Sequence, residues 1–268
     1  MGMETGDNQY RNIVIFGAGN VATQLAKSFA AQNHSIVQIV GRSEENAREL
    51  ATLVNADFTI DISKVNRKAD LYILAVPDLA IVELAKSIGS LNGLVVHTSG
   101  STPMHVLEQL SSRYGVFYPF QTFTKGRDAN LLSVPFCLEA SDADGYYLLF
   151  QLAKSLGGDP IEMSTKQRQM LHLSGVFSCN FVNHMLAIAQ QLAEESNFDF
   201  KLLKPLIVET IEKALQGNPL GSQTGPAIRG DSETIKKHVA LLSHIDDDIR
   251  DLYLSISNSI LNLKQANE

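Results

Sequence analysis

The chain has 268 residues, enough for one large domain or two ordinary ones of roughly 100–200 residues each, and enough to bury a core without disulfides or a structural metal. Hydrophobic residues make up 44% and charged residues 19%, which excludes a disordered chain or a coiled coil. Lys and Arg number 22 against 29 Asp and Glu, a net charge of −7, and this diffuse acidity excludes sequence-independent nucleic-acid binding, which needs a basic face. Cys137 and Cys179 form no framework and have no metal-ligand spacing, so no metal site is expected and a reduced, cytoplasmic setting is. Met1 to Tyr10 is polar and lacks the basic start and apolar run of an export signal. Gly6 stands where a myristoylation pattern wants Ser or Thr. No apolar stretch approaches the roughly 20 residues needed to cross a bilayer, so no membrane partner is expected.

In chain order, apolar runs rich in β-branched residues fall at Asn12–Phe16, Ser35–Val40, Asp57–Ile60, Leu71–Val76 and Leu94–His97. Helical patterns separate them at Val21–Gln32, Glu44–Val54 and Leu79–Ile88. This alternation predicts βαβ units and a mostly parallel, doubly wound sheet with helices on both faces. Gly115–Pro119 and Pro135–Ala140 add strands at the sheet's edge. Gly145–Leu156 reads as a helix stopped by Gly157–Gly158, and Pro160–Met163 as a last short strand. From Ser164 onward the strand pattern vanishes. Ser164 and Gln167 form a capping box opening a helix predicted to run to about Ser196, with further helices at Lys201–Gln216, Ser232–Ser243 and Asp246–Leu263. The expected organisation is an α/β domain over 1–160 and an all-α domain over 161–268.

Gly17-Ala18-Gly19-Asn20-Val21-Ala22 follows the first strand directly and opens a helix, the context that gives this glycine pattern its meaning. Gly17 permits a tight turn, and Gly19 lets the backbone approach a pyrophosphate. The helix N-terminus supplies unpaired N–H groups and partial positive charge. After the second strand the chain reads Val40-Gly41-Arg42-Ser43-Glu44, with no acid to take a ribose 2′-hydroxyl. Arg42 and Ser43 suit a 2′-phosphate and therefore NADP, while Ser43 also reads as a helix N-cap with Glu44 and Glu45 favourable behind it. Ala75-Val76-Pro77 keeps the backbone flat where a nicotinamide ribose would lie. Asp78 reads as the N-cap of the next helix.

Ligands of open parallel sheets bind outside the carboxyl ends of the strands. There the fifth strand ends in His97-Thr98-Ser99-Gly100-Ser101, offering His97, Ser99 and Ser101 to a substrate, although the same residues serve equally as a turn. Tyr118-Pro119-Phe120-Gln121-Thr122-Phe123 places Gln121 and Thr122 toward the same edge, with Phe120 and Phe123 read as packing. On the long helix His172, Val176, Cys179 and Asn183 fall within roughly 60° of each other, with Asn180 at the margin. Buried polar groups in such a row need partners. Near the end, Asp231 reads as an N-cap and Gly225–Pro226 as a turn, which leaves Arg229 free to clamp an anion.

The segments GAGNVA at 17–22, HTSGS at 97–101, YPFQTF at 118–123, HLSGVFSCN at 172–180 and TGPAIRGD at 224–231 together resemble a family of Rossmann-like NADP oxidoreductases. That family is related to deazaflavin-dependent NADP reductases and carries a C-terminal helical domain of unknown function. More distantly the layout is similar to pyrroline-5-carboxylate reductase, ketopantoate reductase and 6-phosphogluconate dehydrogenase, whose C-terminal helices build a dimer and complete the active site. Family members commonly carry histidine before the proline at 119, where this chain has Tyr118. The resemblance implies a cytoplasmic homodimer that binds NADP and transfers hydride to or from a small C=O or C=N substrate held between the two domains. His172 is expected as proton donor or orienter, Asn180 as a hydrogen-bonding partner of the substrate, His97 as the alternative acid and Arg229 as the anion clamp. The chain lacks the lysine with an asparagine four residues on that relatives show, so a non-catalytic NADP-binding sensor or scaffold is the rival reading. A deazaflavin-dependent reductase is the third.

Overall fold

The computed structural model describes residues 12–124, 126–127 and 130–265. The chain divides after Val176 into two compact units. The first is built on an eight-stranded sheet: β1 (Asn12–Phe16), β2 (Ser35–Val40), β3 (Asp57–Thr59), β4 (Leu71–Leu74), β5 (Leu94–His97), β6 (Tyr114–Pro119), β7 (Pro135–Ala140) and β8 (Asp159–Glu162). Their order across the sheet is β3-β2-β1-β4-β5-β6-β7-β8. All neighbours run parallel except β6 and β7, which pair antiparallel with Tyr118 opposite Cys137. The central strands β4 and β5 are buried along their whole length, which is why they read as continuous apolar runs rather than alternating ones.

Two apolar layers sandwich the sheet. Helices α1 (Asn20–Ala31), α2 (Glu44–Val54) and α4 (Ala143–Ser155) close one face over Ile13, Ile15, Leu25, Phe29, Ile39, Phe117 and Phe136. Helix α3 (Asp78–Ser87) and the 3₁₀ turn Met104–Leu107 close the other over Val14, Phe16, Tyr72, Leu74 and Val95. The chain reverses direction across the sheet between β1 and β4, so the crevice outside their carboxyl ends is the topological switch point.

Helix α5 (Thr165–Gly175) opens with the expected capping box, Ser164 and Gln167 bonding reciprocally. It does not continue as one α-helix to Ser196. Val176–Phe181 forms a π-helical turn before α6 (Val182–Glu195). A π-turn carries an extra residue per turn, so the α-helical count that grouped His172 with Cys179 and Asn183 fails across it. The second unit holds α6, α7 (Lys204–Gln216), the one-turn α8 (Pro226–Arg229), α9 (Ser232–Leu242) and α10 (Asp247–Gln265). The helix expected from Lys201 begins instead as a 3₁₀ turn, Phe200–Leu203. Pro205 then sits in the first turn of α7, where its missing N–H costs nothing. Among the described residues no helix is long and apolar enough to cross a membrane.

Candidate functional site

Gly17 has φ +109°, and a Cβ built there would lie 2.2 Å from the Ala75 carbonyl oxygen. A left-handed backbone pressed against β4's end admits glycine alone. Gly19 is extended and begins α1 with no side-chain cap and no acid in the first turn. A Cβ at Gly19 would meet no atom within 4 Å. Open space in front of uncapped helix N–H groups is the shape a pyrophosphate fills. The Asn20 side chain is otherwise engaged: its amide donates to the Phe123 carbonyl at 2.9 Å, tying the loop after β6 to α1 and leaving Asn20 its backbone for a phosphate.

A cavity of about 540 Å³ runs from this loop along the switch point, lined by Gly17, Ala18, Gly19, Arg42, Ser43, Asn46, Ala75, Val76 and Pro77 among others. Arg42 is exposed and pairs with no acid among the described residues. Ser43 caps α2, its hydroxyl accepting from the Asn46 N–H at 3.4 Å. Val21 stands inside the first turn of α1, off that lining. The residues present fit a nicotinamide dinucleotide.

Beyond Pro77 the polar residues converge. Asp78 does not cap α3, since Pro77 holds the cap position without a side-chain bond. The Asp78 carboxylate instead accepts the Ser101 hydroxyl. The Ser101 carbonyl accepts the Gln169 amide at 2.7 Å, which links the loop after β5 to α5. One turn on, the His172 ring lies so close to Gly100 that a Cβ there would stand 2.7 Å from ring Cγ and Nδ1. His172 Nδ1 and the Tyr118 hydroxyl share a hydrogen bond of 3.0 Å. Tyr118 is half-buried, and its phenol is pushed up to about 12, chiefly by burial and then by Cys137, with Arg168 pulling the other way.

His97 and Ser99 belong to the frame beneath. His97 is fully buried, and its Nδ1 accepts the Ser99 N–H at 3.2 Å, which puts the proton of the neutral ring on Nε2. Burial first, then the charge of Arg168, push its pKa down to about 4, so it holds no proton to give as an acid near neutrality. The Ser99 hydroxyl accepts from Ser101 N and Thr102 N and donates to Thr102 Oγ1, at 2.9–3.1 Å, which leaves it nothing to offer a ligand. Gln121 is exposed, its side-chain oxygen turned back onto the Thr122 N–H at 2.9 Å. Asn180 and Arg229 are exposed residues of the second unit.

Arg168, which belongs to no sequence motif, is among the largest fully buried side chains of the described residues. Its guanidinium donates to the Ser99 carbonyl at 2.8 Å and pairs with Glu139 of β7 at 3.1 Å. Glu139 in turn accepts the Thr165 N–H and hydroxyl at the start of α5. One buried ion pair thus fixes β7, the loop after β5 and the N-terminus of α5 against each other.

Comparison with known proteins agrees with this geometry. Residues 12–98 match the family described as coenzyme F420-dependent NADP oxidoreductase, and residues 134–260 match a domain of unknown function, DUF2520. A Bacteroides fragilis protein assigned as an NADP oxidoreductase superposes with a TM-score of 0.88 at 42% identity, over 94% of this chain and 98% of that one. The chain belongs to this NADP oxidoreductase family. Within the wider fold, a Thermotoga maritima protein superposes at TM-score 0.67 and 18% identity, over 95% and 99% of the two chains. A reductive aminase of Aspergillus terreus, solved with NADPH and ethyl levulinate, does so at 0.72 and 15%, over 96% and 95%. A Staphylococcus epidermidis glycerol-3-phosphate dehydrogenase is 30% identical over 115 residues, 38% of this chain and 33% of that enzyme, so the family chain spans about a third of that curated relative.

Proposed function

We propose that the protein is an NADP(H)-dependent oxidoreductase that moves a hydride between the nicotinamide and a small C=O or C=N substrate, and that it works as a homodimer. The observation that carries the reading is the cavity over the glycine loop, whose lining includes Arg42 and Ser43 as well as Ala75–Pro77. NADPH, when bound, supplies the hydride. The chain's own part is to bind and orient. Gly17 and Gly19 shape the cradle, the first turn of α1 presents its N–H groups to the pyrophosphate, and Arg42 and Ser43 take the 2′-phosphate. Ala75, Val76 and Pro77 form the flat wall for the nicotinamide ribose. His172 orients the groups that handle the substrate, with Ser101 and Gln121 as substrate-binding residues.

Calorimetric titration of the full chain with NADPH and NADH tests the cofactor assignment. NADPH should bind at least tenfold tighter, a gap of about 1.4 kcal/mol, and Arg42→Ala should erase the difference. Absence of binding by either nucleotide would overturn the assignment and the enzymatic reading with it.

A further inference from the structure

Tyr118 and His172 form a hydrogen-bonded pair of titratable side chains at the carboxyl edge of the sheet, one from β6 and one from α5. Every element packed around Tyr118 contributes to its setting. Phe120 meets it edge-on with ring centroids 6.1 Å apart, and His172 does the same at 6.0 Å. Cys137 stands opposite it on β7, and the buried Arg168 and the carboxylate of Asp78 both act on it electrostatically. Asp78 immediately follows Pro77, which lines the dinucleotide cavity. Geometry links Tyr118 to that wall: it bonds His172, whose ring packs on Gly100, and the adjoining Ser101 bonds Asp78 next to Pro77.

We propose that Tyr118 is the catalytic residue that protonates the substrate oxygen, and that His172 is the positioning residue that restores its proton. The proposal rests on the oxidoreductase reading and takes carbonyls as its substrate class. When hydride adds to the carbonyl carbon, the C=O π pair moves onto oxygen. The Tyr118 O–H bond breaks as the substrate O–H bond forms, and the bonding pair stays on the phenolate oxygen. His172 then passes its Nδ1 proton to that oxygen, and the half-exposed ring takes a replacement proton from water. A phenol held neutral by burial keeps its proton until a stronger base appears, and the alkoxide formed by hydride addition is one even against a phenol pushed up to about 12. A preformed iminium needs no such donor, because hydride addition alone leaves a neutral amine. The Nδ1 of His172 is engaged by Tyr118, and its ring edge at Cγ and Nδ1 lies against the Gly100 backbone.

The test uses full-length Tyr118→Phe, His172→Ala and the double variant, with NADPH oxidation followed against glyoxylate, pyruvate, benzaldehyde and cyclohexanone. For a carbonyl the wild type consumes, Tyr118→Phe should lower kcat about 100-fold while KM and NADPH affinity stay within about threefold. The double variant should lose little beyond Tyr118→Phe, because residues acting as one relay are not additive. A second readout needs no cofactor: in the free protein Tyr118→Phe should shift the nitrogen resonances of the His172 ring. Retained kcat in Tyr118→Phe, or an unmoved His172 resonance, overturns the assignment of Tyr118 alone. A wild type that binds NADPH yet consumes none of the carbonyls overturns the oxidoreductase reading, and the proposal falls with it.

Discussion

His97 and Arg168 bring polar chemistry into a place almost without water, both side chains being fully buried. They resolve it in opposite ways. Arg168 is held by Glu139 and the Ser99 carbonyl, whereas His97 gives up its charge and accepts the Ser99 N–H as a neutral ring. The neutral choice has a cost in acid. In the folded chain His97 titrates at about 4, and in the unfolded chain at roughly 6.5. Between those values the unfolded state binds more protons, so stability rises with pH across the window and is lost as pH falls from about 6.5 toward 4. From pH 7 to pH 5 the loss attributable to His97 should be about 2 kcal/mol. His97→Asn keeps an acceptor for the Ser99 N–H and cannot titrate. Urea unfolding at the two pH values should show wild type losing that much more than the variant, and parallel losses would remove His97 as the cause.

Element by element, the docking of α5 on the loop after β5 depends on one missing side chain. The Gly100 backbone is not left-handed; it is glycine because the His172 ring occupies the space a Cβ would need. Gly100→Ala should therefore push α5 away, destabilise the chain by about 1–3 kcal/mol as overpacking does, and lengthen the Tyr118–His172 bond. A variant as stable as wild type by urea unfolding would show that α5 docks elsewhere. The elements themselves were legible in the sequence because their signals are local. Val-Ile alternating with helical periods marked the strands to within a residue or two, and strand, glycine loop and helix in succession marked the nucleotide cradle. What was not legible depends on register between distant segments. Tyr118 and His172 lie 54 residues apart, and only the pairing of β6 with β5 and the placement of α5 bring them together. Asp78 looked like a cap by its position after Pro77, yet Ser101, 23 residues on, claimed its carboxylate. The π-turn at Val176–Phe181 carries no sequence mark of its own, so the polar row counted along that helix went out of phase.

For the molecule as a whole, α7 poses a problem that a single chain leaves open. None of its residues is buried, although Leu206, Ile211 and Leu215 are apolar and exposed at 66%, 42% and 82%, with Leu202 just before them at 71%. Full burial of one such side chain is worth roughly 1.5–3 kcal/mol. At 100° per residue Leu202 and Leu206 fall on one side of α7 and Ile211 and Leu215 on the opposite side, so the helix exposes apolar surface on two sides, which soluble chains rarely leave to water. The homodimer proposed above would cover this surface with a second copy of the same chain, closing with two-fold symmetry. Light scattering should find a dimer at micromolar concentration, and Leu206→Glu combined with Ile211→Glu should yield monomers. Because dimer formation adds stability by mass action, the wild-type melting temperature should rise with protein concentration while that of the double variant should not. The glycine-loop cavity lies wholly in the first unit, so NADPH affinity should survive the loss of the dimer. A monomeric wild type would leave α7 without the partner assigned to it.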